Sequence, residues 1–130
     1  MAYDLHLVRS VQWTDASDAP ITKRDVDALI EADPELAWSS SDLVQMKDQN
    51  GDVTVFYMIM WKGRPCFWWY RDQILCSGPN DLETAKLVRI AAVLKARVVG
   101  DDGERYEIRR QLFGKDKIVR LDPNRPPPRE

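Results

Sequence analysis

Residues 53–76, VTVFYMIMWKGRPCFWWYRDQILC, constrain the fold more than any other stretch of the chain. They hold three of its five tryptophans and both of its cysteines, in short apolar blocks interrupted by Lys62-Gly63-Arg64-Pro65 and by Arg71-Asp72-Gln73. Short blocks rich in Val, Ile, Phe, Tyr and Trp between turn residues fit an antiparallel β-meander and no helical period. Strands are predicted over residues 53–61, 66–70 and 74–76. Strand side chains alternate, so in the first of these Val53, Val55, Tyr57, Ile59 and Trp61 share one face and Thr54, Phe56, Met58 and Met60 the other. Both faces are apolar. The strand is therefore either covered on both sides or leaves one face open to a partner.

The flanking sequence supplies cover and further strands. Residues 3–11, YDLHLVRSV, alternate Tyr3, Leu5 and Leu7 against Asp4, His6 and Arg9, as a half-buried strand does, with His6 on the solvent side. Residues 13–20, WTDASDAP, read as a loop. Thr22 then caps a helix, with Asp25 at capping-box spacing, an apolar stripe of Val26, Leu29 and Ile30, and Asp27 and Glu31 opposite. Residues 38–42 read as a loop and 43–46 as a short strand, joined to residue 53 onward through Asn50-Gly51, a dipeptide that accepts positive φ at both positions. Asn80 and Glu83 repeat the capping-box spacing at the head of a second helix, residues 81–96. Its face of Leu87, Ala91 and Leu94 is expected to pack on the meander, with Lys86, Arg89, Lys95 and Arg97 on or beside the outer side. A hairpin over residues 98–108 and one more short strand within 109–121 complete the pattern. The chain is thus expected to form a single α+β domain over residues 1–121, a mostly antiparallel sheet packed against two helices. The proline-rich residues 122–130, DPNRPPPRE, are expected to form an extended or disordered tail.

Several chemistries lack their residues. One histidine and two cysteines separated by nine residues do not furnish a zinc site, and no nucleophile-elbow, dinucleotide or P-loop spacing occurs. Cys66 and Cys76 lie in apolar strands, where burial keeps thiols reduced and inert. No metal, cofactor or catalytic residue is expected; a pair of carboxylates brought together by the fold is the enzymatic route that spacing leaves open. The first ten residues lack a signal-peptide pattern and no run reaches the roughly 20 apolar residues of a membrane span, so a cytoplasmic protein is expected. Charge is distributed unevenly: residues 1–52 carry 11 acidic and 4 basic side chains, and residues 53–130 carry 10 and 15. An acidic first half favours a basic protein partner over nucleic acid. The candidate contacts are the loop residues Asp15, Asp18, Trp38, Asp42, Asp48 and Asp52, the helix residues Asp27 and Glu31, and Trp61 in the meander.

The segments YDLHLVR, PITKRDVDALIEADPEL, CFWWYRDQI and NDLETAKLVRIAAVLKARVVGDDGERYEI resemble small bacterial immunity proteins encoded beside secreted polymorphic toxins. The resemblance spans residues 3–108 and carries no catalytic fingerprint. It implies a cytoplasmic, non-enzymatic protein that binds a cognate toxin domain and occludes its active site. It brings no binding residues with it, so the acidic and aromatic positions above rest on their own chemistry. The alternative is a small-molecule or single-stranded nucleic-acid binding module that uses the meander's aromatic residues, with Lys62, Arg64 and Arg71 at the strand ends.

Overall fold

The structure, a computed structural model, describes residues 3–47, 49–109 and 117–121, with the backbone alone described at residues 40–46 and 54. Eight strands, β1 Asp4–Val8, β2 Leu36–Lys47, β3 Val53–Trp61, β4 Arg64–Tyr70, β5 Gln73–Ser77, β6 Arg97–Gly100, β7 Arg105–Arg109 and β8 Lys117–Leu121, form one antiparallel sheet in the order β2-β3-β4-β5-β1-β6-β7-β8. The expected meander is present and extends through β2 to β5. Gly51 turns β2 into β3 at φ 85°, and Lys62 and Gly63 turn β3 into β4 at φ 51° and 78°, the double positive φ that suits a two-residue hairpin loop. The protein is a single α+β domain.

Alternation gives the sheet two different faces. On the first face Leu5, Leu7, Ile59, Phe67, Ile74, Cys76 and Val98 make one buried cluster with the helices α1 Lys23–Ala32 and α2 Asp81–Val93. Both capping boxes form: Thr22 accepts from Asp25 N–H and Asn80 from Glu83 N–H, while the Asp25 and Glu83 carboxylates accept from the cap residues' own N–H groups. Each cap is worth about 1 kcal/mol.

The position of α2 departs from expectation for a topological reason. Strands β5 and β6 each run antiparallel to β1, which lies between them, so they are parallel to one another. Parallel strands need a crossover. Helix α2 is that crossover, and it lies over β1, β6 and β7 rather than over the meander. Its Lys86, expected on the outer side, is buried at 8% exposure.

Two further expectations are corrected on the second face. Residues 13–18 are a 3₁₀ segment, not an open loop, and this segment folds back over β1. Its Trp13 ring stacks on His6 at 4.3 Å, and Ala16 joins Val8 and Val99 in a small second cluster. His6 is therefore buried and not solvent-facing. Its Nε2 donates to Asp101 Oδ1 at 2.7 Å, and its Nδ1 lies 2.8 Å from the Gln73 amide oxygen. The expected loop at 38–42 lies within β2, where the register against β3 shifts between Trp38 and Leu43. The tail at 122–130 lies outside the described residues.

At the far end of the first face Glu104 is fully buried. Its carboxylate accepts from Tyr3 Oη and from Arg120 Nη2, the latter at 3.0 Å. Burial first, and then the bond to this carboxylate, push the Tyr3 hydroxyl pKa well up. The Glu104 side chain lies directly over Gly100, where an added Cβ would fall 1.5 Å from Glu104 Oε1 and 2.6 Å from Tyr3 Oη. Gly100→Ala is accordingly expected to lower unfolding free energy by about 3 kcal/mol, measured by urea denaturation. A loss under about 0.5 kcal/mol, the range of ordinary surface changes, would show that Glu104 is not held against that glycine.

Candidate partner-binding surface

Strand register lines up one row of side chains across the second face: Met58, Trp68, Leu75, His6, Val99, Arg105 and Leu121 are successive cross-strand neighbours. The 3₁₀ segment covers the middle of this row, and His6 and Val99 are buried there. Toward β3 the row continues through Met58, which is buried at 8% exposure but belongs to neither core cluster. Phe56, Met60, Trp68, Tyr70 and Leu75 are half-buried, and among the described residues no helix joins them in a core cluster. Phe56 stacks on Tyr70 at 4.5 Å and meets Trp68 edge-on at 6.3 Å. Arg71 sits over the outer end, its guanidinium carbon 5.2 Å from the Tyr70 ring centre.

The tryptophans divide by face. Trp69 donates its indole N–H to the Ile21 carbonyl at 2.9 Å, and Trp61 donates to Glu35 at 3.2 Å; both pack against the first-face core. The Trp68 indole N–H makes no hydrogen bond among the described residues. A half-exposed indole with an open donor, set among Phe, Tyr and Met, has the composition of an interface core.

The residues singled out from sequence do not make one patch. Asp15 and Asp18 are exposed on the 3₁₀ segment, beside the second face, and that segment carries no base. Asp27 and Glu31 are exposed on α1, over the first face. Asp27 accepts from Trp38 Nε1 at 2.7 Å, so these two are brought together. Asp52 is exposed at the β2–β3 turn, and Trp61 lies at the opposite end of β3, about 27 Å along the strand. Asp48, and the side chain of Asp42, lie outside the described residues. Phe56, Trp68 and Tyr70 stand outside the acidic and aromatic contact set and enter the sequence reading only as aromatic residues of the meander. Alternation placed them on one face, but nothing local said which face the helices would cover.

Part of the acidic surface is neutralised from within. Lys86 Nζ donates to Asp33 Oδ2 at 2.8 Å and to Glu35 Oε1 at 2.9 Å, tying α2 to the end of α1 and the start of β2. Burial alone would lower the Lys86 pKa, but the bonds to Asp33 and Glu35 outweigh it and raise it. The hydrogen bond from Lys86 holds both carboxylates below their ordinary range.

A cleft of about 450 Å³ between α2 and β7 is floored by Val98, Tyr106 and Ile108 and bordered by Arg89 and Arg97; Glu107 is its one lining carboxylate, and no Ser, Cys or His lines it. Cys66 and Cys76 are free thiols on the first face. A hydrogen bond with Cys76, then burial, pushes the Cys66 thiol pKa far up, which leaves it protonated. Among the described residues no three His, Cys, Asp or Glu side chains group as metal ligands would, and no helix is long and apolar enough to cross a membrane. Comparison with known proteins gives no match to a family model, to a curated protein or to a solved structure.

The carboxylates define the acid limit of stability. Asp25 is lowered chiefly by the Thr22 N–H, Asp33 chiefly by Lys86; at Asp101 burial raises the pKa, but the bonds from His6 and Asp4 N–H outweigh it and the net shift is down. A group lowered on folding stabilises the protein above its unfolded pKa and loses that contribution as pH falls through the folded value. The melting temperature should therefore hold between about pH 5 and 7 and fall steadily below about pH 4. Lys86, raised on folding, contributes below its unfolded pKa and is lost only above about pH 10.4. A thermal scan series across pH that shows no acid-side fall would remove these bonds from the stability of the fold.

Proposed function

We propose that this chain is an immunity-type inhibitor: a non-enzymatic protein that binds a cognate toxin domain through the second face of its sheet and occludes that domain's active site. The observation that carries the reading is the half-buried aromatic and methionine surface of Phe56, Met60, Trp68 and Tyr70 around Met58, which among the described residues joins neither of the core clusters formed under the helices and the 3₁₀ segment. An interface draws most of its affinity from a few aromatic anchors in a desolvated centre. Trp68 is placed to be one, and Asp15 and Asp18 on the roofing segment give the rim a negative charge. That charge suits a toxin cleft lined by Lys and Arg, such as one that handles a phosphorylated or nucleic-acid substrate, and it would speed encounter more than it strengthens the complex. The sequence resemblance to immunity proteins agrees with this reading.

Binding should then divide along the two faces. Against a toxin domain that the parent chain binds, Trp68→Ala is expected to raise the dissociation constant at least about 30-fold, equivalent to about 2 kcal/mol at an interface anchor, and to abolish protection of cells expressing that toxin. Asp15→Asn with Asp18→Asn should mainly slow association and weaken its salt dependence. The reading fails if Trp68→Ala binds and protects like the parent. Tryptophan quenching by single-stranded oligonucleotides that is steeply reduced by salt would instead favour a nucleic-acid module.

A further inference from the structure

On the first face, away from the surface just described, a helix and two strands build a compact cation-binding arrangement. Trp38 of β2 and Tyr57 of β3 meet edge-to-face, with centroids 6.0 Å apart and planes at 68°. Asp27 of α1 closes a third side and accepts the Trp38 indole N–H at 2.7 Å, which fixes the plane of that ring. Behind them Trp69 leans on Tyr57 at 5.5 Å and is itself anchored to the Ile21 carbonyl at 2.9 Å. Two aromatic faces and a carboxylate, held from behind by the core, are the elements that recognise an organic ammonium.

The chain places a cation there itself. Lys23 Nζ lies 5.1 Å from the Trp38 centroid, 5.6 Å from that of Tyr57 and 3.5 Å from Asp27 Oδ1. Its side chain is 44% exposed and reaches in from the first turn of α1, one helical turn before Asp27. We propose that Trp38, Tyr57 and Asp27 form a binding site for a lysine ammonium group presented by a protein partner, and that Lys23 fills it in the free protein as a built-in competitor. The Trp38 ring is fixed by its bond to Asp27 and Tyr57 rests on the anchored Trp69, whereas Lys23 is held by a solvent-exposed ion pair and exposed ring contacts, which are individually weak and screened by salt. Its displacement requires only a rotamer change of a flexible, exposed side chain. The acidic first half of the chain, Glu31 one turn further along α1 included, favours approach of a cationic group to this side. The site does not depend on docking through the second face, and its test needs no toxin.

The test is an NMR titration of the full chain with tetramethylammonium chloride at constant ionic strength, following the Trp38 indole N–H signal. Lys23→Ala should show a saturable shift in the millimolar range with affinity about three- to fivefold above the parent, the equivalent of the exposed cation–π contact removed. Adding Asp27→Asn or Tyr57→Leu to Lys23→Ala should abolish the saturable shift. Sodium chloride in place of the probe should give none. Because Lys23 is exposed, Lys23→Ala should keep the parent's melting temperature within a few degrees, so that a negative titration reports on the site and not on folding. A linear, unsaturating response in Lys23→Ala, or equal affinity in the parent and all variants, would show that Lys23 is a structural contact and overturn the proposal.

Discussion

The insertion of β1 between β5 and β6 is the constraint on which the rest of the structure depends. A five-residue strand joins the meander on one side to the C-terminal hairpins on the other, and both of its faces are used. Leu5 and Leu7 enter the core beneath α2; His6 and Val8 face the opposite way, beneath the 3₁₀ segment. Because β1 separates β5 from β6, the link between those two must cross the sheet, and α2 is held over β1 as a consequence. The Asp101 carboxylate then ties the strand to the β6–β7 turn through Asp4 N–H and His6, and its carbonyl takes the Trp13 indole N–H. One short strand thus decides which regions of the sheet are roofed.

The division of the two faces follows from that placement. Helices α1 and α2 cover the first face, and the first-face tryptophans spend their indole donors inside the protein, on Ile21, Asp27 and Glu35. On the second face the 3₁₀ segment is six residues long and packs over β1, with Ala16 against Val8 and Val99. The β3–β4 surface beyond it keeps Phe56, Met60, Trp68 and Tyr70 half-exposed. A rigid sheet presenting fixed aromatic side chains loses little conformational entropy on binding, which is the property an inhibitor needs for tight association.

Much of this was legible in the sequence, for reasons that can be named residue by residue. The two capping boxes, the Asn50-Gly51 hairpin and the alternation in β3 are local signals, and each appears where it was expected. Lys86 and His6 were misplaced because their burial depends on partners 51 or more residues away, Asp33 and Glu35 in one case and Gln73 and Asp101 in the other. The 3₁₀ segment looked like a loop because its stability comes from stacking on His6 and not from its own composition. The acidic candidates were chosen by charge and loop propensity, which cannot tell that Asp15 and Asp27 lie over opposite faces of one sheet. Trp68 was visible as a residue, but its exposure depends on where a distant segment stops.

The central claim is that the β3–β5 surface of the second face supplies the anchors that would hold the proposed toxin domain. Hydroxyl-radical side-chain footprinting of the protein, free and saturated with the toxin domain, tests it most directly. The account predicts that oxidation of Phe56, Met60, Trp68 and Tyr70 falls sharply on binding, while Trp61 and Trp69 change little. Protection confined to the turns and α1, with Trp68 as reactive in the complex as in the free protein, would contradict it.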